Sequence, residues 1–147
     1  MILAIDMGNT NIEIGCLDDE KIYFTERVST DRTKTELEYA VLLKTILELH
    51  GVQGKSMEGA IISSVVPPLT KILRLAVKKV TDCDAFVVGA GVRTGLDIRV
   101  DNPAQVGADL IVDAVAAAEE YGYPCIVIDM GTATTIEVLD RRGYYIG

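Results

Sequence analysis

The chain has 147 residues, of which 49% are hydrophobic and 24% are charged, a composition that is typical of a globular protein and excludes a disordered chain. It carries 22 Asp and Glu residues against 14 Lys and Arg residues, which gives a formal net charge of −8. A protein that binds nucleic acid by neutralising phosphates needs the opposite sign, and so does one that binds an acidic membrane surface. We therefore expect no nucleic acid and no membrane among its partners.

The first 88 residues predict a βββαβα unit followed by one more strand. Short apolar or alternating runs indicate the strands, and apolar residues at helical spacing indicate the helices. The strands are expected at 2–5, 12–17, 21–28, 59–66 and 85–88, and the helices at 35–50 and 69–80. The pair Pro67-Pro68 is expected to end the fourth strand.

The remaining residues predict a long loop and the start of a second unit. The segment 89–101 is rich in glycine and lacks periodicity, which is typical of a functional loop. Asn102-Pro103 is a favourable helix start, and the helix is expected to continue to about Tyr121. Further strands are expected at 124–129 and 134–139 and from Gly143 onward.

The cysteines and the histidine limit the chemistry. Cys16, Cys83 and Cys125 are odd in number and widely spaced, which predicts reduced thiols in a cytosolic protein, two of them in the core. His50, the only histidine, comes just before Gly51 and is expected at a helix C-terminus. A single histidine disfavours a zinc site, and it makes a carboxylate the expected general base.

One pattern occurs twice: an apolar strand, then Asp-x-Gly with polar residues, then a returning strand. The first copy contains Asp6-Met7-Gly8-Asn9-Thr10 and the second Asp129-Met130-Gly131-Thr132-Ala133. A single copy suits any hairpin turn, whereas two copies with the same order of elements are much less expected by chance. We place a first domain at residues 1–101 and an incomplete second domain at 102–147.

The repeated loop has the chemistry of a phosphate site. Its glycine lets backbone amides approach an anion, and successive turn amides can cradle phosphate oxygens. Further side-chain donors are Asn9, Thr10, Thr132 and Thr134. Asp6 and Asp129 would repel a phosphate, which implies an intervening cation or water. Two such loops facing each other would hold one polyphosphate; the alternative is a pair of tight turns without a ligand.

The two loops resemble the phosphate motifs of the acetate kinase, sugar kinase, Hsp70 and actin superfamily. Three further stretches resemble the type III pantothenate kinases: Gly91-Val92-Arg93-Thr94-Gly95-Leu96, Asp101-Asn102-Pro103 and Val106-Gly107-Ala108-Asp109. The resemblance implies an α/β, ribonuclease H-like (actin-like ATPase) fold, in which helices flank a mixed sheet and a second, similar domain begins. It also implies ATP-dependent phosphorylation of pantothenate, the first step of coenzyme A biosynthesis. The enzyme would be a cytoplasmic homodimer that needs Mg²⁺ or another divalent metal, and K⁺ or NH₄⁺.

The resemblance also implies a role for individual residues. The ATP site would consist of Asp6, Met7, Gly8, Asn9, Thr10, Asn11, Ile12, Glu13, Gly131 and Thr132. The substrate site would consist of Val100, Gly107, Ala108, Asp109 and Leu110. Asp109 would be the catalytic base, Asp129 would hold the monovalent cation, and Asp6 would meet the divalent metal directly or through water. Because phosphoryl transfer needs mainly an oriented nucleophile, a helix-borne carboxylate suits this role. Asp113, one turn further, is expected to be a solvated carboxylate.

Two substrate-side positions depart from the family pattern: Leu110 stands where the family has arginine, and Val100 where it usually has tyrosine. The chain also reaches just over halfway through a family member of usual length. Two alternatives to the pantothenate kinase therefore stay open. One is a catalytically inactive, truncated relative that keeps the fold as a binding or regulatory module. The other is a kinase of the same superfamily that acts on a different alcohol.

Overall fold

The computed structural model describes residues 1–89 and 91–147, which divide into two compact units, Met1–Val88 and Gly89–Gly147. The glycine-rich loop over 89–101, which we placed in the first domain, belongs to the second compact unit. Because compact units reflect contacts rather than repeats, the domain boundary between 101 and 102 stays a prediction. Each unit has a sheet and a hydrophobic core of its own.

Five strands form the mixed sheet of the first unit. They are β1 (Ile2–Met7), β2 (Asn11–Leu17), β3 (Ile22–Ser29), β4 (Gly59–Ser64) and β5 (Phe86–Val87). Their order in the sheet is β3-β2-β1-β4-β5. The first three strands are antiparallel, β4 runs parallel to β1, and β5 runs parallel to β4. This arrangement confirms the predicted ribonuclease H-like mixed sheet.

Two helices, α1 (Glu36–Leu49) and α2 (Pro67–Thr81), complete the first unit. A reciprocal pair of hydrogen bonds between Thr35 and Glu38 fixes the start of α1, since the Glu38 carboxylate accepts from the Thr35 amide at 2.8 Å. His50 lies at the C-terminus of α1, as predicted. The helix α2 starts at Pro67 and not at residue 69, because a proline fits the first turn, where its missing N–H costs nothing.

The core of the first unit lies between one face of the sheet and the two helices. Leu3, Ile5 and Met7 alternate along β1 and are at most 3% exposed. They belong to one buried cluster that also contains Leu43 of α1 and Leu73 of α2. Alternating apolar residues on β1 and β2 thus meet the apolar stripes of both helices.

The second unit has a smaller sheet with a single long helix. Its strands are β6 (Asp97–Ile98), β7 (Cys125–Met130), β8 (Thr134–Leu139) and β9 (Tyr144–Tyr145), in the order β6-β9-β8-β7, and its helix is α3 (Ala108–Tyr121). The three later strands are antiparallel, whereas β6 is parallel to β9. The core is built on Ala114, Leu139 and Tyr145.

Two predictions about the second unit were wrong. The strand β6 lies inside the segment that we expected to be a loop, because Asp97 and Ile98 pair with residues far along the chain, at β9. The helix does not begin at Asn102-Pro103. Residues Pro103–Gln105 form a separate 3-10 turn, and Val106, whose side chain packs on the core of this unit, has an extended backbone that separates the turn from α3.

The three cysteines are free thiols, as predicted, but only Cys16 is fully buried. Cys83 and Cys125 are half-buried and pack at the margins of the two cores. We expected two of the cysteines to lie in the core, and only Cys16 does. No helix in the described ranges 1–89 and 91–147 is long and apolar enough to span a membrane.

Candidate functional site

The first Asp-x-Gly loop is a tight turn between β1 and β2. The Gly8 amide donates to the Asn11 carbonyl at 2.9 Å, and the Thr30 hydroxyl donates to the Gly8 carbonyl at 2.7 Å. A Cβ atom on Gly8 would lie 3.1 Å from the Asn11 carbonyl oxygen, so a larger residue would have to displace backbone. The turn is therefore fixed by the protein's own hydrogen bonds.

Sequence reasoning missed two residues that support this loop. The Arg32 guanidinium donates to the Asn9 side-chain oxygen at 2.9 Å, and the Thr30 amide donates to the Thr10 carbonyl at 2.8 Å. A prediction of how β2 and β3 pair could have identified them. Because Asn11 lies opposite Ser29, the residues that follow β3 must pass beside the loop. Arg32 places a positive charge where an anion in the loop would need one.

The end of β1 presents polar groups to its two neighbouring strands. Asp6 is exposed and lies in register with Glu13 of β2 and Ser63 of β4. The Glu13 carboxylate accepts from the Arg27 guanidinium, with the Nε atom at 3.0 Å. Ser63 is 5% exposed, and its hydroxyl has no hydrogen-bond partner among the described residues.

The other residues assigned to the ATP site divide into two groups. Asn9, Thr10 and Asn11 are exposed, so a ligand could approach their side chains. Met7 and Ile12 are at most 1% exposed and belong to the core of the first unit. These two residues can offer a ligand only their backbone atoms.

The second Asp-x-Gly loop connects β7 to β8 in the same way. The Gly131 amide donates to the Ala133 carbonyl at 3.1 Å. A Cβ atom on Gly131 would lie 3.3 Å from an oxygen of the Asp129 carboxylate, which therefore lies close over the turn. Asp129, Gly131 and Thr132 are all exposed. Both copies of the repeat thus form hairpin turns that present a carboxylate beside a glycine.

The residues assigned to the substrate meet at the start of α3. Gly107 is the N-cap of this helix and Asp109 lies in its first turn. One oxygen of the Asp109 carboxylate accepts from the Leu110 amide at 2.9 Å, and a Cβ atom on Gly107 would clash with that oxygen. Glycine at 107 therefore lets the carboxylate lie back over the helix N-terminus, where the helix dipole favours a negative charge.

The two departures from the family pattern have different surroundings. Val100 is half-buried and packs against the core of the second unit. Leu110 is half-buried on α3. Neither side chain can donate a hydrogen bond to a polar substrate.

Sequence reasoning missed a buried carboxyl in the second unit. Glu137 on β8 is 1% exposed, and neither of its carboxyl oxygens has a hydrogen bond of normal geometry to a described residue. Burial, followed by the negative charges of Asp113 and Asp109, raises the pKa of Glu137 from 4.5 to about 7. The Tyr145 hydroxyl lowers this pKa, although its contact with the Glu137 carboxyl lies outside normal hydrogen-bond geometry. The negative charge of Asp129 raises the pKa further.

The charges of Asp109 and Asp129, which lie apart in sequence, both raise the pKa of Glu137. Asp113, which we expected to be solvated, is half-buried and acts on the same carboxyl, so that expectation was wrong. No group of three or more His, Cys, Asp and Glu side chains within 1–89 and 91–147 is arranged to hold a metal ion. The exposed carboxylates of Asp6 and Asp129 are hard oxygen donors that suit Mg²⁺ or K⁺, and such an ion would take its other ligands from phosphate and water.

The sequence profile of the type III pantothenate kinases matches residues 2–147. The chain belongs to the type III pantothenate kinase family. It is 46% identical to the type III pantothenate kinase of Halalkalibacterium halodurans and 47% identical to that of an Exiguobacterium species, over 147 residues in each case. Each alignment covers 100% of this chain and 58% of the relative, so the chain spans just over half the length of these type III pantothenate kinases.

A solved structure, a reductive activator for a corrinoid, iron-sulfur protein, is similar in fold with a TM-score of 0.59. The match covers 95% of this chain and 29% of that chain, at 12% sequence identity, and so concerns the fold alone. Membership of the type III pantothenate kinase family confirms the resemblance that we drew from the two Asp-x-Gly loops together with the stretches 91–96, 101–103 and 106–109. It also confirms that the chain belongs to a family of small-molecule kinases, whereas the roles of single residues stay predictions.

Proposed function

We propose that the protein phosphorylates pantothenate with ATP, giving 4'-phosphopantothenate in the first step of coenzyme A biosynthesis. The observation that carries the proposal is that both Asp-x-Gly motifs form preorganised hairpin turns in a chain 46% identical to a type III pantothenate kinase. Because the chain covers 58% of that relative, the proposal concerns the protein with whatever further residues complete its active site.

On the ATP side, the two turns would bind the phosphates. The segment 6–13 would contribute backbone amides and the polar side chains of Asn9 and Thr10, and the second turn would contribute Gly131 and Thr132. Since hydrogen bonds and Arg32 already fix the first turn, little order has to be gained when the nucleotide binds.

On the acceptor side, Asp109 would orient the hydroxyl of pantothenate and accept its proton as the phosphoryl group is transferred. The carboxylate already lies over the N-terminus of α3, where Gly107 leaves room for it. A loose phosphoryl-transfer transition state demands orientation of the nucleophile more than its prior deprotonation. Gly107, Ala108, Leu110 and Val100 would line the substrate beside it.

The cations and the assembly are part of the same proposal. Asp129 would hold a monovalent cation such as K⁺ or NH₄⁺, and Asp6 would meet Mg²⁺ or another divalent ion, directly or through water. A divalent cation, when bound, neutralises charge on the phosphates. We further propose that the enzyme is a cytoplasmic homodimer, as its family resemblance implies.

One alternative has support of its own. By the family resemblance, Leu110 and Val100 stand in place of an arginine and a tyrosine that could donate hydrogen bonds to a substrate. This difference favours a catalytically inactive module that keeps the fold for binding or regulation.

ADP release in the presence of ATP and Mg²⁺, measured with and without pantothenate, tests the proposal. Release that depends on pantothenate and is lost in Asp109→Asn supports it, with Asp19→Asn as the control, because Asp19 is an exposed carboxylate in the turn between β2 and β3, at the opposite end of β2 from the first Asp-x-Gly loop. Release with a different alcohol would indicate another acceptor. No release with any alcohol, from a chain that still binds ATP, would support the inactive module.

A further inference from the structure

The first Asp-x-Gly loop is bonded to a segment outside the motif, residues 30–35, which connects β3 to α1 and is called here the Arg32 loop. The Thr30 amide donates to the Thr10 carbonyl at 2.8 Å, and the Thr30 hydroxyl donates to the Gly8 carbonyl at 2.7 Å. Both acceptors are backbone carbonyls of the Asp-x-Gly loop. One residue of the Arg32 loop therefore joins the two loops through two hydrogen bonds.

A buried tyrosine holds the next residue of the Arg32 loop. The hydroxyl of Tyr39, on α1, donates to the Asp31 carbonyl at 2.7 Å and accepts from the Asp31 amide at 3.2 Å. Because Tyr39 belongs to the core of the first unit, these two bonds tie the loop to that core. The backbone that leads into Arg32 is thus fixed at Thr30 and at Asp31 by the protein's own hydrogen bonds.

The guanidinium of Arg32 lies against the Asp-x-Gly loop, and its contact there does not cancel its charge. It donates through one nitrogen to the side-chain oxygen of Asn9 at 2.9 Å, and that amide is neutral. The carboxylate of Asp31, the residue before it, accepts instead from the Thr33 amide at 2.9 Å and from the Thr33 hydroxyl at 2.6 Å. Arg32 is exposed, so a ligand in the loop could reach the other donors of its planar fork.

We propose that Arg32 binds a phosphate group of ATP directly, from a position that Thr30 and Tyr39 set in advance. A guanidinium suits this role because its fork matches two oxygens of one phosphate and the hydrogen bonds are charge-assisted. Its positive charge also matters in a chain with a formal net charge of −8, which otherwise repels a polyphosphate. The inference rests on the ATP part of the proposed function and adds a residue to that site from outside the Asp-x-Gly motif.

The alternative is that Arg32 only orients the Asn9 side chain, and a double-substitution cycle separates the two roles. The dissociation constant of ATP with Mg²⁺ is measured by calorimetry, without pantothenate, in the protein with the residues that complete its active site. Arg32→Gln should weaken ATP binding at least tenfold, both in the parent and in an Asn9→Ala background. An Asn9→Ala protein that binds ATP as tightly as the double variant would overturn the proposal.

Two controls show that the lost affinity belongs to the charge of Arg32. Arg74→Gln removes an exposed arginine from α2 of the same unit and should leave the affinity for ATP unchanged. Because Arg32 is exposed, Arg32→Gln should also leave the midpoint of thermal unfolding unchanged. Arg32→Lys keeps the charge without the fork and should recover part of the affinity that Arg32→Gln loses.

Salt dependence gives a second readout, which a purely structural role of Arg32 would not change. Raising the salt concentration should weaken ATP binding by the parent more than by Arg32→Gln, because the variant has lost a charged contact that salt screens. Equal salt dependence in the two proteins would overturn the proposal. Pantothenate-dependent ADP release tests the proposed function separately: a protein that binds ATP through Arg32 and releases no ADP with pantothenate contradicts that function and supports this inference, whereas ADP release with an ATP affinity that Arg32→Gln does not alter does the reverse.

Discussion

The buried Glu137 makes a quantitative prediction about stability and pH. Its pKa is raised from 4.5 to about 7, first by burial and then by Asp113 and Asp109. Between pH 4.5 and pH 7, therefore, the folded state keeps the proton on this carboxyl, whereas the unfolded state has released it. The stability that this proton contributes is therefore complete below pH 4.5 and is lost as the pH rises to about 7. At 1.36 kcal/mol for each pKa unit, the loss is about 3 kcal/mol.

Glu137→Gln removes this titration while it keeps the size of the side chain. At pH 8 the variant should be more stable than the parent by up to about 3 kcal/mol, and at pH 4 the difference should disappear or change sign. The free energy of unfolding from urea titrations at both pH values measures the effect. Hydrogen exchange of the β8 amides, compared between the two proteins at the same pH, assigns it to the second unit.

Glu119→Gln is the matched control, because Glu119 is an exposed glutamate on α3 of the same unit and should leave the pH profile unchanged. The difference between parent and variant therefore reports on Glu137 together with Asp113 and Asp109, the carboxylates that act on it. A difference in unfolding free energy that is the same at pH 4 and pH 8 would refute the reasoning, because Glu137 would then not be held as a buried acid.

Three further substitutions test local geometry. Gly107→Ala should displace the Asp109 carboxylate and lower the rate of pantothenate phosphorylation at least tenfold. Its free energy of unfolding should stay within about 0.5 kcal/mol of the parent's. An unchanged rate would contradict the role given to Asp109. Gly8→Ala should destabilise the protein by about 1 kcal/mol in urea titrations, because its Cβ would lie 3.1 Å from a backbone oxygen. Gly89→Ala should be neutral, because a Cβ there would meet no atom within 4 Å among the described residues beyond its chain neighbours. Thr35→Ala should lower the free energy of unfolding by about 1 kcal/mol in the same titrations, because it removes the Thr35 hydroxyl from the reciprocal cap on α1. An unchanged free energy would mean that this cap does not stabilise the helix.

Local patterns were sufficient for most of the first unit. Short stretches of sequence contain the alternating apolar residues of β1 and β2 and the apolar stripes of α1 and α2. The sheet face and the helix faces that these patterns predict are the ones that pack together. The strand β6 could not be found in this way, because two residues acquire their strand geometry only by pairing with β9, which lies far along the chain. Helix α3 was placed too early for a similar reason, since tertiary packing of Val106 interrupts a favourable start.

The candidate site was predicted in part. The glycine turns pointed to Asp6 and Asp129, and the family resemblance pointed to Asp109; the roles of all three residues stay predictions. Glu137 was missed because an apolar residue is expected to be buried and a charged residue to be exposed. On β8 the opposite holds: the apolar Ile136 is exposed, whereas Glu137 is buried under α3. Arg32 was missed because its contact with Asn9 depends on how β3 pairs with β2.

The central claim is that the two Asp-x-Gly turns bind the phosphates of one ATP molecule. The most direct test is to follow the amide NMR signals of Gly8 and Gly131 while ATP and Mg²⁺ are added to the protein with the residues that complete its active site, with Gly51, at the end of α1, as the reference. We predict that both glycine signals shift with a single dissociation constant while that of Gly51 stays in place. Shifts at only one of the two turns, or at neither, would contradict the claim.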